Sequence, residues 1–260
     1  MTWNPATYDQ FKVARSAPVA DLHALIPDQP YEQIVDLGCG AGDHTLTLAR
    51  RFPGAQVTGL DSSPEMLARA PHGAAPNLTF VQGDIAGLQG HFDLIHANAS
   101  LQWLPDHPAL LARLWNHLRG GGVLAVQVPA NHDHPSHRLL GETADEFAAE
   151  LGGYSRFGTA HGASPVLTPA AYAEMLDALG GQHITALSKV YPVVLDGAEG
   201  LIDWTRGTAL VPYLSRLDGA AGERFLAAYR ARLKAAFTGE RLYYAFTRVL
   251  FAAHKGSQRG

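Results

Sequence analysis

"IVDLGCGAGDHT", residues 34–45, decides the fold. An apolar run carries an acid, Asp36, and then glycine takes every second position at Gly38, Gly40 and Gly42. The pattern predicts a strand over Gln33–Leu37 that turns tightly into a helix starting at Asp43. Glycine in such a turn permits positive φ and lets another group approach the main chain closely. A strand before and a helix after is the context that a nucleotide-type fingerprint requires.

Working outward, short β-branched runs alternate with helical patterns through the first half. Strands are expected at Gln56–Asp61, Leu78–Gln82, Phe92–Ala97 and Gly122–Val128, and helices at Asp43–Phe52, Pro64–Ala70 and Pro108–Leu118. Alternation of this kind implies βαβ units and a parallel sheet covered on both faces. Local signals agree. "SSPEML" offers Ser62 or Ser63 as N-cap with Pro64 at the first helical position, and "RGGG" at 119–122 is expected to end the Pro108 helix. In the second half, helical periodicity covers Ser136–Leu151, Pro169–Leu179, Leu201–Leu217 and Glu223–Phe237, interrupted by β-rich stretches at His183–Leu195 and Leu242–Ala253. Residues 5–26 also read as helical. The expected architecture is an α/β, doubly wound, mostly parallel seven-stranded sheet in a single domain over 1–260. A helical lid at 1–28 and a helical cap at 199–240, inserted between the last two strands, complete it.

Composition narrows the function classes. The chain has 260 residues, a formal net charge of −4 and a pI near 6.3. Its basic residues are scattered, which gives no footprint for nucleic acid or a membrane surface. The start lacks a basic and apolar leader, and no apolar run is long enough to span a bilayer, so the expected compartment is the cytoplasm. One cysteine, Cys39, excludes an internal disulfide and a thiolate metal cluster. Sixteen of the twenty basic residues are arginine, leaving several forks suited to carboxylates.

A dinucleotide fingerprint would place its third glycine at residue 43, and that residue is Asp43, a negative charge where a diphosphate would approach. A nucleoside with a cationic tail and no phosphate suits the loop better, which points to S-adenosylmethionine. Asp61 closes the second predicted strand, where a carboxylate can accept both ribose hydroxyls. "GDI" at 83–85 closes the third, so Asp84 can take an adenine amino group while Ile85 packs on the ring.

With these motifs in place, the sequence resembles the class I S-adenosylmethionine-dependent methyltransferases, and within them the trans-aconitate 2-methyltransferases. The resemblance runs along nearly the whole chain. It is carried by "WNPATYDQF" at 3–11 with Arg15, "DLGCGAG" at 36–42, "GLDSSPEML" at 59–67, "NASLQWLPDH" at 98–107, "GGVLAVQVP" at 121–129, "LIDW" at 201–204 and "AFTRVLF" at 245–251. It implies monomethyl esterification of a small polycarboxylate, foremost trans-aconitate, with S-adenosyl-L-homocysteine as the spent cofactor. Carried over by position, the cofactor contacts are Asp36, Gly38, Cys39, Gly40, Asp61, Ser62, Met66, Asp84, Ile85, Asn98 and Ser100. Substrate contacts are Tyr8, Arg15, Trp103, Asn131, His137, Trp204 and Arg206. One departure bears on the substrate: the family pattern has Leu-Arg-Pro where this chain has Leu210, Val211 and Pro212, so a candidate carboxylate-binding arginine is missing, and either Arg206 substitutes for it or the substrate carries fewer carboxylates.

A carboxylate nucleophile is ionised at neutral pH, so no general base is expected. Plainer readings stand beside these assignments. Trp103 and Trp204 also fit as core aromatics, Arg15 as a surface charge, and Cys39 as a small residue in a tight turn. "NHDHPSH" at 131–137 has metal-like histidine spacing but reads as a polar loop, so no metal is expected. The rival functions are a methyltransferase of another small metabolite, a non-catalytic S-adenosylmethionine-binding protein and an NAD-dependent oxidoreductase. The expected partner is a small carboxylate, with no nucleic acid or membrane, and the chain is expected to be a monomer or weak homodimer.

Overall fold

The computed structural model describes residues 16–155 and 164–257. After a helix over 16–24 (α1), the elements run β1 Gln33–Leu37, α2 Asp43–Arg51, β2 Gln56–Asp61, α3 Pro64–Leu67, β3 Leu78–Gln82, β4 Phe92–Asn98, α4 His107–Asn116, β5 Leu118–Pro129 and α5 Pro135–Glu146. They continue with α6 Pro169–Ala178, β6 Gly181–Asp196, α7 Gly197–Arg206, α8 Val211–Leu214, α9 Gly219–Ala236 and β7 Arg241–Lys255. Seven strands form one sheet in the order β3-β2-β1-β4-β5-β7-β6. β1 pairs in parallel with β2 and β4, β2 with β3, and β4 with β5, while β7 runs antiparallel to β5. The expected fold class holds. The strand order reverses between β1 and β4, so the crevice at their carboxyl ends is the place where a doubly wound sheet holds a ligand.

Contacts divide the chain into two compact units. One contains, of the described residues, 18–129, 165–189 and 248–257, and its core joins Leu22, Ile26, Ile34, Leu48, Val57, Leu94, Val123 and Leu250. These are mostly aliphatic residues of the central strands and of α1 and α2. The other contains, of the described residues, 16–17, 130–155, 164 and 190–247. Its core stacks Tyr213 on Phe225 at 5.5 Å and sets Trp204 edge-on to Phe246 at 4.9 Å. Residues 130–155 belong to this unit together with 199–240.

Several boundaries differ from expectation. "RGGG" does not separate helix from strand: α4 stops at Asn116, and Arg119–Gly122 already lie in β5. Gly122 is crowded by the carbonyls of Arg119 and Asp93, so no larger residue fits that irregular strand start. The expected helix Leu201–Leu217 is broken after Arg206, because Pro212 opens a second short helix, α8. The Ser63 signal is realised, with its Oγ accepting from Met66 N at 3.2 Å, though α3 ends early at Leu67.

Candidate active site

Three glycines open the loop after β1, and each has positive φ: 68° at Gly38, 58° at Gly40 and 79° at Gly42. What crowds them corrects part of the sequence reading. A Cβ on Gly38 would strike Ser100, and one on Gly42 would strike the Phe80 ring. Gly59, in β2, is closed off by the same ring and by the Cys39 sulfur. The group that excludes side chains at Gly38 and Gly42 is thus the protein itself. Gly40 is more open, with only the Met66 methyl at 3.2 Å from its would-be Cβ.

The loop is pinned to the end of β2. Leu60 O accepts from the N–H groups of Gly38 at 2.7 Å and Cys39 at 3.0 Å. Asp61 receives Gly40 N–H on Oδ2 at 2.8 Å and Ser63 N–H on Oδ1 at 2.9 Å. Each carboxylate oxygen has two lone pairs, so two backbone donors fix Asp61 and still leave acceptor capacity. Ser100 closes the other side: Ala99 adopts a φ of 52°, and Ser100 Oγ donates to Leu37 O at 2.6 Å. A left-handed alanine is strained backbone, and here it turns Ser100 down onto Gly38.

These elements enclose a cleft of about 440 Å³ lined by Gly38, Gly40, Asp61, Ser62, Met66, Gly83, Asp84, Ile85, Ala99, Ser100, Trp103 and Leu104. Nine residues expected at the site therefore come together. Asp84 is exposed and uses Oδ1 to cap its own turn through Ala86 N–H at 2.7 Å. Trp103 is half exposed and so is no core aromatic. Gly83, Ala99 and Leu104 also line the cleft. Gly83 and Leu104 lay inside stretches the sequence had singled out, whereas nothing in the sequence marks Ala99 as left-handed. The wall is buttressed from behind. Tyr172 OH accepts Leu167 N–H at 3.2 Å and shares a 2.5 Å hydrogen bond with His107 Nδ1, while His107 Nε2 reaches Leu101 O at 3.0 Å. Burial holds the His107 imidazole below its ordinary pKa, which suits a neutral ring in this role.

Other expected contacts lie elsewhere. Asp36 is interior: Thr45 Oγ1 donates to its Oδ2 at 2.6 Å and His96 Nδ1 sits 2.7 Å from Oδ1. Burial alone would raise its pKa, but the His96 charge and the two hydrogen bonds outweigh this and hold it below the usual carboxylate value. Its place is beneath the loop and not among the cleft residues. Cys39 is buried, and desolvation together with Asp36 and Asp61 pushes its thiol up to about 12, so it packs and does not react. Asn98 ends β4 just short of the cleft lining.

Asn131, His137, Trp204 and Arg206 belong to the other unit. There Asn131 Nδ2 donates to Ala245 O at 2.6 Å, His137 Nδ1 lies 3.3 Å from Ser136 Oγ, and Trp204 is 2% exposed within the aromatic core. Trp204 thus follows its plainer reading as a core residue. Tyr8 and Arg15 lie outside the described residues. Among the described residues no cluster of three histidine, cysteine or acidic side chains is arranged to hold a metal, and no helix is long and apolar enough to cross a membrane. A second depression of about 530 Å³ beside α7 and α9 is lined by Glu199 and Lys234. Those two pair with each other at 2.9 Å, and Arg230 joins Glu199 at 3.1 Å.

The cleft fits a nucleoside better than a dinucleotide. It offers a fixed carboxylate at the end of β2 and a second at the end of β3, and α2 opens with Asp43 where a diphosphate would need a positive field.

Fold and cleft together define a class, and the comparisons agree with it. A profile described as "Methyltransferase domain" matches residues 34–122. Among solved structures, phosphoethanolamine N-methyltransferase 2 of Haemonchus contortus, in complex with S-adenosyl-L-methionine, superposes with a TM-score of 0.56 at 17% identity, covering 93% of this chain and 53% of that one. The YcgJ protein of Bacillus subtilis superposes with a TM-score of 0.55 at 16% identity, covering 93% and 98%. The protein is a class I methyltransferase in fold. A trans-aconitate 2-methyltransferase of Deinococcus radiodurans is 73% identical over 253 residues, covering 97% of this chain and 98% of the relative. One of Azoarcus sp. is 40% identical, covering 97% and 98%. The chain belongs to the trans-aconitate 2-methyltransferase family.

Proposed function

We propose that this protein binds S-adenosylmethionine in the glycine-loop cleft and transfers its methyl group to a carboxylate of trans-aconitate, giving a monomethyl ester. The reading is supported above all by near-full-length identity of 73% to a relative of that name. The cleft supplies the chemistry that such a cofactor needs.

S-adenosylmethionine, when bound, supplies an electrophilic methyl group on a sulfonium. The chain's own residues do the rest. Asp61, held by Gly40 and Ser63 N–H, presents its remaining lone pairs to ribose hydroxyls. Asp84 and buried Ile85 take the base edge and face. Gly38, Gly40, Ser62, Met66 and Ser100 shape the floor, and Trp103 stands at its rim. The attacking carboxylate needs no proton removed, so the protein's contribution is alignment, and well-oriented reactants can recover roughly 7–11 kcal/mol of barrier. Arg15 and Arg206, with Asn131 and His137, are assigned to the substrate.

The test is incubation with S-adenosylmethionine and a panel of polycarboxylates, with products read by mass. A trans-aconitate product one methyl heavier is expected. A product from none of the carboxylates would reject the reading.

A further inference from the structure

The part of the cleft wall that carries Trp103 and Leu104 hangs on one carbonyl. Leu101 O accepts Leu104 N–H at 2.9 Å, which closes the turn Leu101–Trp103. Its other lone pair faces His107 Nε2 at 3.0 Å. The same turn begins at Ser100, whose carbonyl receives Trp103 N–H at 3.2 Å and whose Oγ reaches Leu37 O at the end of β1. His107 opens α4 and is 2% exposed. These residues and Tyr172 all lie in the unit that contains the glycine loop.

The partners of His107 fix where its proton sits. Tyr172, fully buried in α6, receives Leu167 N–H on its hydroxyl at 3.2 Å, and a backbone N–H can only donate. The phenol has one hydrogen of its own. Directing it at His107 Nδ1, 2.5 Å away, is the arrangement that leaves no buried hydrogen without an acceptor. Nδ1 is then the bare nitrogen. Leu101 O can only accept, so the ring hydrogen is on Nε2. Burial pushes the Tyr172 phenol up to about 12, which keeps its hydrogen in place. A second proton, on Nδ1, would set two donors against each other inside the protein. Around the ring, α6 contributes Tyr172 and β7 contributes Phe251, stacked on Tyr172 at 4.2 Å. The start of α4 contributes Asp106, which is exposed and turned to Ala109 N–H. Burial outweighs the pull of Leu101 O and Asp106 and holds the imidazole below its ordinary pKa.

We infer that His107 is a positioning residue of the cofactor cleft: locked by Tyr172 as the neutral Nε2–H form, it sets the turn that presents Trp103 and Leu104 to the ligand, and its protonation in acid releases that turn. The inference rests on the cofactor-binding reading of the cleft and adds to it a limit on the acid side.

Three variants test it: His107→Phe, His107→Gln and Tyr172→Phe. Calorimetry gives the Kd of S-adenosylmethionine from about pH 7 to about pH 5, and product mass gives kcat with trans-aconitate. Loss of the Nε2 donor in His107→Phe is expected to weaken the cofactor about 10-fold and lower kcat about 30-fold. Glutamine offers a donor for Leu101 O and an acceptor for Tyr172, so His107→Gln should stay within about threefold of wild type in neutral solution. In acid the wild-type Kd should rise about threefold while that of His107→Gln stays flat. Tyr172→Phe removes the hydroxyl that opposes a proton on Nδ1, so its rise should begin at higher pH than in wild type. His23, His44 and His96 are unaltered in every variant, so a difference between profiles belongs to His107. Lost packing alone would be neither rescued by glutamine nor dependent on pH. Cofactor binding in His107→Phe within about twofold of wild type, or coinciding pH profiles of wild type and His107→Gln, overturns the inference. If His107→Phe does not fold, the profiles of the other two variants decide. Cofactor binding that follows these variants without ester formation would uphold the positioning role and reject the proposed reaction. Ester formation and cofactor binding indifferent to all three would do the reverse.

Discussion

The two units of this molecule are built from different materials. Among the described residues, the cluster around the central strands of the glycine-loop unit has two aromatics, Tyr31 and Phe52, among fifteen, with Trp115, Tyr172 and Phe251 buried outside it, whereas the cluster of the other unit has seven among nineteen. The first is organised by backbone geometry: positive-φ glycines, strand register, and N–H groups fixed on Asp61. The second is organised by interlocking rings such as Tyr154 edge-on to Tyr213 at 5.4 Å and Phe147 edge-on to Phe225 at 5.4 Å. Backbone-directed structure leaves short motifs in a sequence. Ring packing leaves only composition, because many arrangements of the same aromatics satisfy the same pattern.

That contrast can be broken by experiment. The largest effect is expected from Tyr213→Ala, which empties a fully buried site between Phe225 and Tyr154. It should cost about 3–5 kcal/mol of stability in denaturant unfolding, with the cofactor Kd of the folded fraction unchanged. A cofactor Kd that rises tenfold would show that the units are not organised separately. Next is Asp61→Ala, which removes both the acceptor for ribose and the clamp on Gly40. Calorimetry should find S-adenosylmethionine bound about 100-fold more weakly, on the order of 2–3 kcal/mol, and a change below threefold would remove Asp61 from the site.

Acidification tests the layer beneath the loop. The His23 and His96 rings lie tilted against each other with centroids 5.3 Å apart. Desolvation, then the charges of His96 and His44, lower its pKa to about 4. The unfolded chain therefore takes the proton first, so this stability is complete above the ordinary histidine value and is lost as pH falls from there toward 4. The loss should reach about 1–3 kcal/mol. His23→Phe should flatten the slope in thermal melts across that window, and an unchanged slope would assign it to another group. Smallest is Val211→Arg. Val211 is half exposed, and an arginine there should shift stability by no more than about 0.5 kcal/mol. A substrate KM lowered tenfold would instead show that α8 contributes to holding the carboxylate.

Much of the first unit was legible. The strand–glycine–helix run, the acids closing β2 and β3, and the Ser63-Pro64 start of α3 each state a local requirement, and the structure meets them within a residue or two. Arg119–Gly122 misled because three glycines are a helix stop by composition, while here Gly122 admits close carbonyls at an irregular strand start. Leu201–Leu217 misled because its apolar period continues through Pro212, where the helical hydrogen-bond ladder does not. Asp36 was read as a cofactor contact because motif position says which residue follows a strand but not which face it takes. Register with β4 sets Asp36 beside His96, inside.

By itself the sequence determined the doubly wound sheet, the loop that opens the cleft, and the acids at its edge, because these depend on spacing along one strand or one turn. Tertiary structure alone decided that Ser100 and Phe80 fill the space above Gly38 and Gly42 and that Asp36 is claimed by Thr45 and His96. Each is a contact between residues far apart in the chain, and only the register of paired strands brings them within reach.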